Sequence, residues 1–259
     1  MKKIAAVLIV MGLVMSSIPA FAKDWKTIRV GVEGAYPPFS YLTPQGELAG
    51  FDIDIAKAVV AAAGAEIQLV AQDWDGIIPA LLAGKYDCIV ASMSITEERK
   101  KKVAFTNKYY HTPARFTAPK GMFKEFSPEA VKGKTVGVQR STIHDRYLTD
   151  NYGDSVTIKR YASQDEVYID LVAGRIDMFI SDSIAASDGF LKKPEGKDFE
   201  FVGPKLTNPK WFGDGAGIAV RQQDTDLVEI LNAAIAKIRA DGTYKKIQDK
   251  YFDFDVYGD

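Results

Sequence analysis

Three charged residues define the chemistry open to this chain. Arg99 lies two residues beyond Ser94-Ile95-Thr96-Glu97, a segment that fits a capping box and predicts a helix running through Lys102. A guanidinium in that first turn opposes the helix dipole. A carboxylate ligand would explain it, because the arginine fork matches a carboxylate. A solvated face continuous with residues 100–102 is the alternative. Asp182 ends Met178-Phe179-Ile180-Ser181, which reads as a buried strand. A bare carboxylate there costs energy unless a ligand ammonium, a neighbouring lysine or a backbone cap pairs it. Glu33 follows the strand-like Val30-Gly31-Val32 in the same way. It can hold a second cation or be an exposed loop acid.

Four further residues fall beside these. Tyr36 and Trp74 lie in loops after strands and could sandwich an apolar stem or a guanidinium; burial as core aromatics is the other reading. Thr142 opens a helical segment whose free N–H groups suit a carboxylate, or it is a plain N-cap. Ser92 follows the apolar stretch that contains Cys88. One arginine, two acids, two aromatics and several hydroxyls fit a zwitterion carrying an extra positive charge.

Catalytic signatures are lacking in the sequence. There is no Gly-x-Ser-x-Gly elbow and no phosphate loop. Gly213-Asp214-Gly215-Ala216-Gly217 has neither the spacing nor the context of a dinucleotide loop. One cysteine, Cys88, precludes an intrachain disulfide and reads as a buried, inert thiol. The two histidines, His111 and His144, are far apart, so neither a zinc site nor any other metal or cofactor is expected. With 33 basic and 34 acidic residues the net charge is −1, and no basic excess argues for nucleic acid or an anionic membrane. The 47% hydrophobic and 26% charged composition excludes a disordered chain.

The elements that must position these groups come in two sets. Residues 1–22 carry a basic start, an apolar run at residues 4–15 and Ala20-Phe21-Ala22, the pattern of a signal peptide cleaved after Ala22. The apolar run is shorter than a bilayer span needs. After it, Leu82-Ala83-Gly84-Lys85-Tyr86-Asp87-Cys88-Ile89-Val90 parallels Val172-Ala173-Gly174-Arg175-Ile176-Asp177-Met178-Phe179-Ile180. Ile28-Arg29-Val30-Gly31-Val32 likewise parallels Lys134-Thr135-Val136-Gly137-Val138. Strands alternate with helices predicted at residues 52–63, from Ser163, and over residues 227–238. The pattern predicts an α/β protein of two similar lobes with mainly parallel sheets and a cleft between them. Ligands bind beyond the carboxyl ends of such strands. That rule brings residues 33–36, residues 139–142, Ser92 and Asp182 together.

The motifs Gly50-Phe51-Asp52-Ile53-Asp54-Ile55, Tyr36-Pro37-Pro38-Phe39, Ser92-Met93-Ser94-Ile95-Thr96 with Arg99, and Asp241-Gly242-Thr243-Tyr244 resemble those of periplasmic polar amino-acid-binding proteins of ABC importers. Together with the C-terminal ten residues they are most similar to the lysine/arginine/ornithine- and histidine-binding members. The resemblance covers essentially the whole chain after the leader. It implies the two-lobed periplasmic binding-protein fold, with lobes joined by two crossover strands. Lobe 1 is expected at residues 23–110 plus 209–259 and lobe 2 at residues 111–208. It implies that Arg99 clamps the ligand α-carboxylate with support from Thr142 and Ser94. It implies that Asp182 and Ser92 hold the α-amino group, Glu33 lies near the side-chain cation, and Tyr36 and Trp74 form aromatic walls. Ala91, Val138 and Ser141 complete the expected lining.

Three departures stand out: Ala91 replaces a serine, Arg140 a glycine and Ile143 a glutamine. A loop disulfide of the relatives is absent. The expected function is therefore capture of a basic L-amino acid in the periplasm, by a monomer, for a membrane permease. Arginine is expected first, then lysine or ornithine, then histidine. Arg140 motivates an opine as the alternative ligand, and a cyclohexadienyl-dehydratase-like enzyme is the alternative from another class.

Overall fold

In a computed structural model, residues 23–258 are described; the expected leader lies outside them. The chain opens with strand β1 (Thr27–Val32), whose Ile28, Val30 and Val32 are fully buried. A small three-stranded ribbon follows, β2 (Ala35–Tyr36), β3 (Ser40–Leu42) and β4 (Leu48–Ala49). Helix α1 (Phe51–Ala62) comes next, its first turn carrying Asp52 and Asp54. Then come β5 (Glu66–Ala71), a short 3-10 turn at Trp74–Gly76, α2 (Ile77–Leu82), β6 (Cys88–Ile89), α3 (Glu97–Lys100) and β7 (Val103–Tyr110).

The chain crosses to a second unit of β8 (Ala114–Pro119), α4 (Pro128–Val131), β9 (Thr135–Gln139), α5 (Ile143–Tyr152) and β10 (Thr157–Tyr161). It continues through α6 (Gln164–Val172), β11 (Met178–Asp182), α7 (Ser183–Ala186) and β12 (Phe199–Leu206). It then returns through α8 (Pro209–Phe212), β13 (Ala216–Arg221), α9 (Thr225–Ala240) and α10 (Thr243–Tyr251).

The two sheets have the same plan, β5-β1-β6-β13-β7 and β10-β9-β11-β8-β12. β5, β1 and β6 pair in parallel, as do β10, β9 and β11. β13 and β8 pair antiparallel with both of their neighbours. Thus four strands of each sheet point one way and one is reversed. The reversed strand is the one that enters from the opposite unit, so it must start where its neighbours end. Periodicity alone does not show that reversal.

The sequence repeat is a structural repeat: β1 corresponds to β9 and β6 to β11. Even the tight spots recur. A Cβ at Gly31 would lie 2.5 Å from the Tyr86 ring, and one at Gly137 would lie 2.4 Å from Ile176. Tyr86 and Ile176 are themselves equivalent in the repeat, so each glycine lets one helix-to-strand turn close on its sheet. Cys88 is buried, as expected.

One predicted element is corrected. The helix that Ser94 was expected to cap starts later and is shorter. Ser94 forms a bridge to Ala216, and the Ile95 N–H donates to the Gly215 carbonyl, which holds both residues against β13. Thr96 caps α3 instead, its hydroxyl accepting from the Arg99 N–H at 3.3 Å. The capping box at Ser163 and Glu166 is present at the start of α6. Among the described residues no helix is long and apolar enough to cross a membrane.

Candidate functional site

The carboxyl ends of β1, β6, β9 and β11 face one another across the gap between the units. Two turns there are strained. Ser92 after β6 has φ +52° and Ser141 after β9 has φ +62°. They are the non-glycine residues in the left-handed region among those described, and such strain gathers at ligand sites.

A cavity runs between the units. Glu33, Trp74, Ala91, Arg99, Gln139 and Thr142 border one part of it. Tyr110, Thr112 and Asp182 border the other. Tyr36, Ser92, Ser94, Ile143 and His144 border both. Nine of the eleven residues expected from the sequence therefore meet in one place. Ser141 instead borders the outer mouth of the cleft with Trp74 and Arg99. Its carbonyl accepts from the Trp74 indole N–H at 3.3 Å. Val138 is corrected: it is fully buried in the apolar core that holds Phe116, Leu148 and Ile180, because β9 turns alternate side chains into that core.

The charges in this cavity are unbalanced one by one. Arg99 donates to the Ser94 carbonyl at 3.1 Å and lies 5.2 Å over the Trp74 ring, but forms no ion pair among the described residues. Burial pulls its guanidinium down to a pKa of about 10. Asp182 is capped as the backbone reading allowed, accepting at Oδ1 from the Ile184 N–H at 2.8 Å and the Ala185 N–H at 3.2 Å. The Thr112 hydroxyl donates to its other oxygen. No cation among the described residues pairs with it, and burial lifts its carboxyl to about 6. Glu33 accepts from the Gln139 amide at 2.5 Å, a contact that joins the two units. Burial, reinforced by Asp165, Asp52 and Asp73, lifts Glu33 to about 7.

Other contacts also span the cleft. The Tyr36 hydroxyl lies 3.3 Å from Ser181 Oγ, and Arg146 pairs with Glu98 at the rim. Arg140 donates to Asp75 at 2.6 Å, half-exposed. It is exposed and does not border the cavity, unlike Gln139 before it, so the observation that motivated an opine ligand is removed.

Three contributors were not expected from the sequence: Thr112, His144 and Asp52. Asp52 was read only as a first-turn acid. It is 1% exposed and lies under the cleft floor, accepting from the Ser92 hydroxyl and from the Tyr109 hydroxyl at 2.9 Å each. The Tyr109 oxygen in turn accepts from the Ser92 N–H at 3.0 Å, so the strained serine is tied twice. The signal was an acid at an otherwise core-facing position of α1. Asp52→Ala leaves two inward hydroxyls without their acceptor and should lower the unfolding free energy by about 2 kcal/mol in urea denaturation. A loss below about 0.5 kcal/mol would show that Ser92 is held by its backbone alone.

Over residues 28–254 the sequence matches the bacterial extracellular solute-binding proteins, family 3. The chain belongs to that family. An L-arginine-binding protein of Pseudomonas aeruginosa is 51% identical over 259 residues, covering 100% of this chain and 99% of that one. The histidine-binding periplasmic protein of Escherichia coli strain K12 is 43% identical with full coverage of both chains. Among solved structures, an ancestral arginine-binding protein bound to arginine superposes with a TM-score of 0.81 at 37% identity, over 88% of this chain and 98% of that one. This family 3 member thus has the two-lobed α/β fold of amino-acid-binding proteins, and the sheets described above are its lobes.

Proposed function

We propose that this protein captures a basic L-amino acid between its lobes, L-arginine in preference to lysine or ornithine, and those in preference to histidine. One observation carries the reading: two adjoining pockets that share Tyr36, Ser92, Ser94, Ile143 and His144 are bordered by the half-buried Arg99 without an acid, and by buried Asp182 and half-buried Glu33 without a cation, among the described residues. Their charge complement is a molecule with one carboxylate and two cationic groups. Arg99 takes the α-carboxylate with Ser94 and Thr142, Asp182 takes the α-ammonium with Ser92, and Glu33 takes the side-chain cation. Burying matched charges is favourable where burying any one alone is not. Tyr36 and Trp74 offer ring faces that suit a flat guanidinium better than a compact ammonium. The relatives that bind arginine and histidine support the class.

In this reading the lobes are residues 23–110 with 209–259, and residues 111–208. The exported monomer loses residues 1–22 after Ala22 and delivers its ligand to an ABC permease. It binds its ligand without transforming it, a reading supported by relatives that are themselves binding proteins.

A thermal-unfolding screen of ligand-stripped protein tests the proposal. At 100 times its dissociation constant, arginine should stabilise the fold by about 2.7 kcal/mol. Lysine and ornithine should shift the melting point less at equal concentration, and neutral or acidic amino acids should not shift it. A response confined to neutral amino acids would overturn the assignment.

A further inference from the structure

His144 is a buried polar side chain that the reading above leaves without a role. It is the second residue of α5, 8% exposed, and borders both parts of the cavity. Its imidazole makes no hydrogen bond among the described residues; its ring neighbour is Phe212, centroids 6.2 Å apart. Buried imidazoles are normally hydrogen-bonded, so one left unpaired at the border of a ligand cleft calls for a partner. His144 shares one part of the cavity with Arg99, Ser94 and Thr142 and the other with Asp182; of these charged groups Arg99 is the one that acts on it.

We infer that His144 is a ligand-contact residue whose neutral imidazole donates one N–H to the ligand's α-carboxylate, beside Arg99. The inference rests on the amino-acid reading and adds a specificity determinant to it. Burial and the Arg99 charge press the imidazole down to about 3, so it arrives neutral, with one donor and one acceptor nitrogen. A second fixed cation beside Arg99 would be hard to bury before the ligand arrives, whereas a neutral donor adds a directed bond without that cost. Helix α5 fixes it: the Thr142 hydroxyl caps the helix by accepting from the Asp145 N–H, and His144 lies inside that capped turn.

The test measures dissociation constants by calorimetry for wild type, His144→Gln and His144→Leu. The ligands are L-arginine, agmatine (no carboxylate) and 5-guanidinopentanoate (no α-amino group), the weaker two by displacement against arginine. Wild-type binding of L-arginine stands as the separate check on the amino-acid reading. His144→Leu should weaken arginine and 5-guanidinopentanoate about tenfold or more, as losing a hydrogen bond to a charged group does. It should leave agmatine within about threefold, and His144→Gln should keep most of the wild-type affinity because its amide can donate. Where the leucine variant does not fold, His144→Met serves in its place. A loss that follows the α-amino group, or one equal for all three ligands, or no loss for arginine, overturns the inference.

Discussion

Glu33→Gln should stabilise the ligand-free protein and cripple it as an arginine binder. Burial lifts Glu33 from 4.5 to about 7, with Gln139 its hydrogen-bond donor. Between those values the ligand-free fold holds a proton that the unfolded chain has lost. Stability therefore falls as pH rises from about 4.5 to 7, and the penalty is fully present above that window. At about 1.4 kcal/mol per pK unit the ionised carboxylate costs the free protein up to roughly 3 kcal/mol at pH 8. An amide of the same shape removes that cost, so the ligand-free melting point at pH 8 should rise. Arginine affinity should meanwhile fall roughly 100-fold, within the range for removing one partner of a buried charge pair. Citrulline, with a neutral urea in place of the guanidinium, should change by less than about threefold, since it loses no charge pair.

The pH dependence has a definite sign. A bound guanidinium holds Glu33 ionised, so binding releases the proton and arginine affinity should weaken as pH drops below about 7, by roughly tenfold per unit at the limit. Asp182, lifted to about 6, should steepen the fall below that pH as the α-ammonium loses its partner. Calorimetry from pH 5 to 8 on both proteins checks this. In Glu33→Gln only the lower limb should remain; identical profiles would show that no ligand cation meets Glu33.

Most of the frame was legible because the sequence repeats. The stretch ending at Cys88 and the stretch ending at Met178 share a glycine stop, a basic residue and a buried strand. With the rule for the carboxyl ends of strands, that was enough to bring Glu33, Ser92, Thr142 and Asp182 to one cleft. Ser94 was misread as a cap because a hydroxyl three residues before a glutamate also occurs where the chain is pairing with a distant strand. Here β13, more than a hundred residues later, holds it extended. Arg140 motivated an opine ligand because it adjoins the expected site residues Ser141 and Thr142 in sequence. It pairs with Asp75 outside the cavity instead, a contact between residues 65 apart that no residue-type pattern announces. Asp52 and His144 were invisible as site residues for a related reason. Each sits in the first turn of a helix, where acids and polar groups are common, and only tertiary packing turns them inward.

Arg99→Met should abolish binding of every α-amino acid, whatever its side chain. The residue is the cation of the cavity without an acidic partner among those described, and it is held in place before any ligand arrives. Its backbone is fixed by the Thr96 cap, its fork by the Ser94 carbonyl and its face by Trp74. Methionine keeps much of the stem but leaves a ligand carboxylate buried with hydroxyl and N–H donors alone. That should cost about 4 kcal/mol, or roughly a thousandfold in affinity. Because burial pulls the guanidinium below its usual range, to about 10, its charge is a burden on the ligand-free fold. The variant should therefore melt no lower than wild type without ligand, while losing the arginine-induced shift. The contrast with Glu33 is the decisive part. Loss at Glu33 sorts ligands by side chain, whereas loss at Arg99 should strike arginine, lysine and histidine alike and spare agmatine, which has no carboxylate to lose. Should Arg99→Met retain arginine within tenfold of wild type, the carboxylate must lie elsewhere and the direction of the ligand in the cleft would have to be reversed.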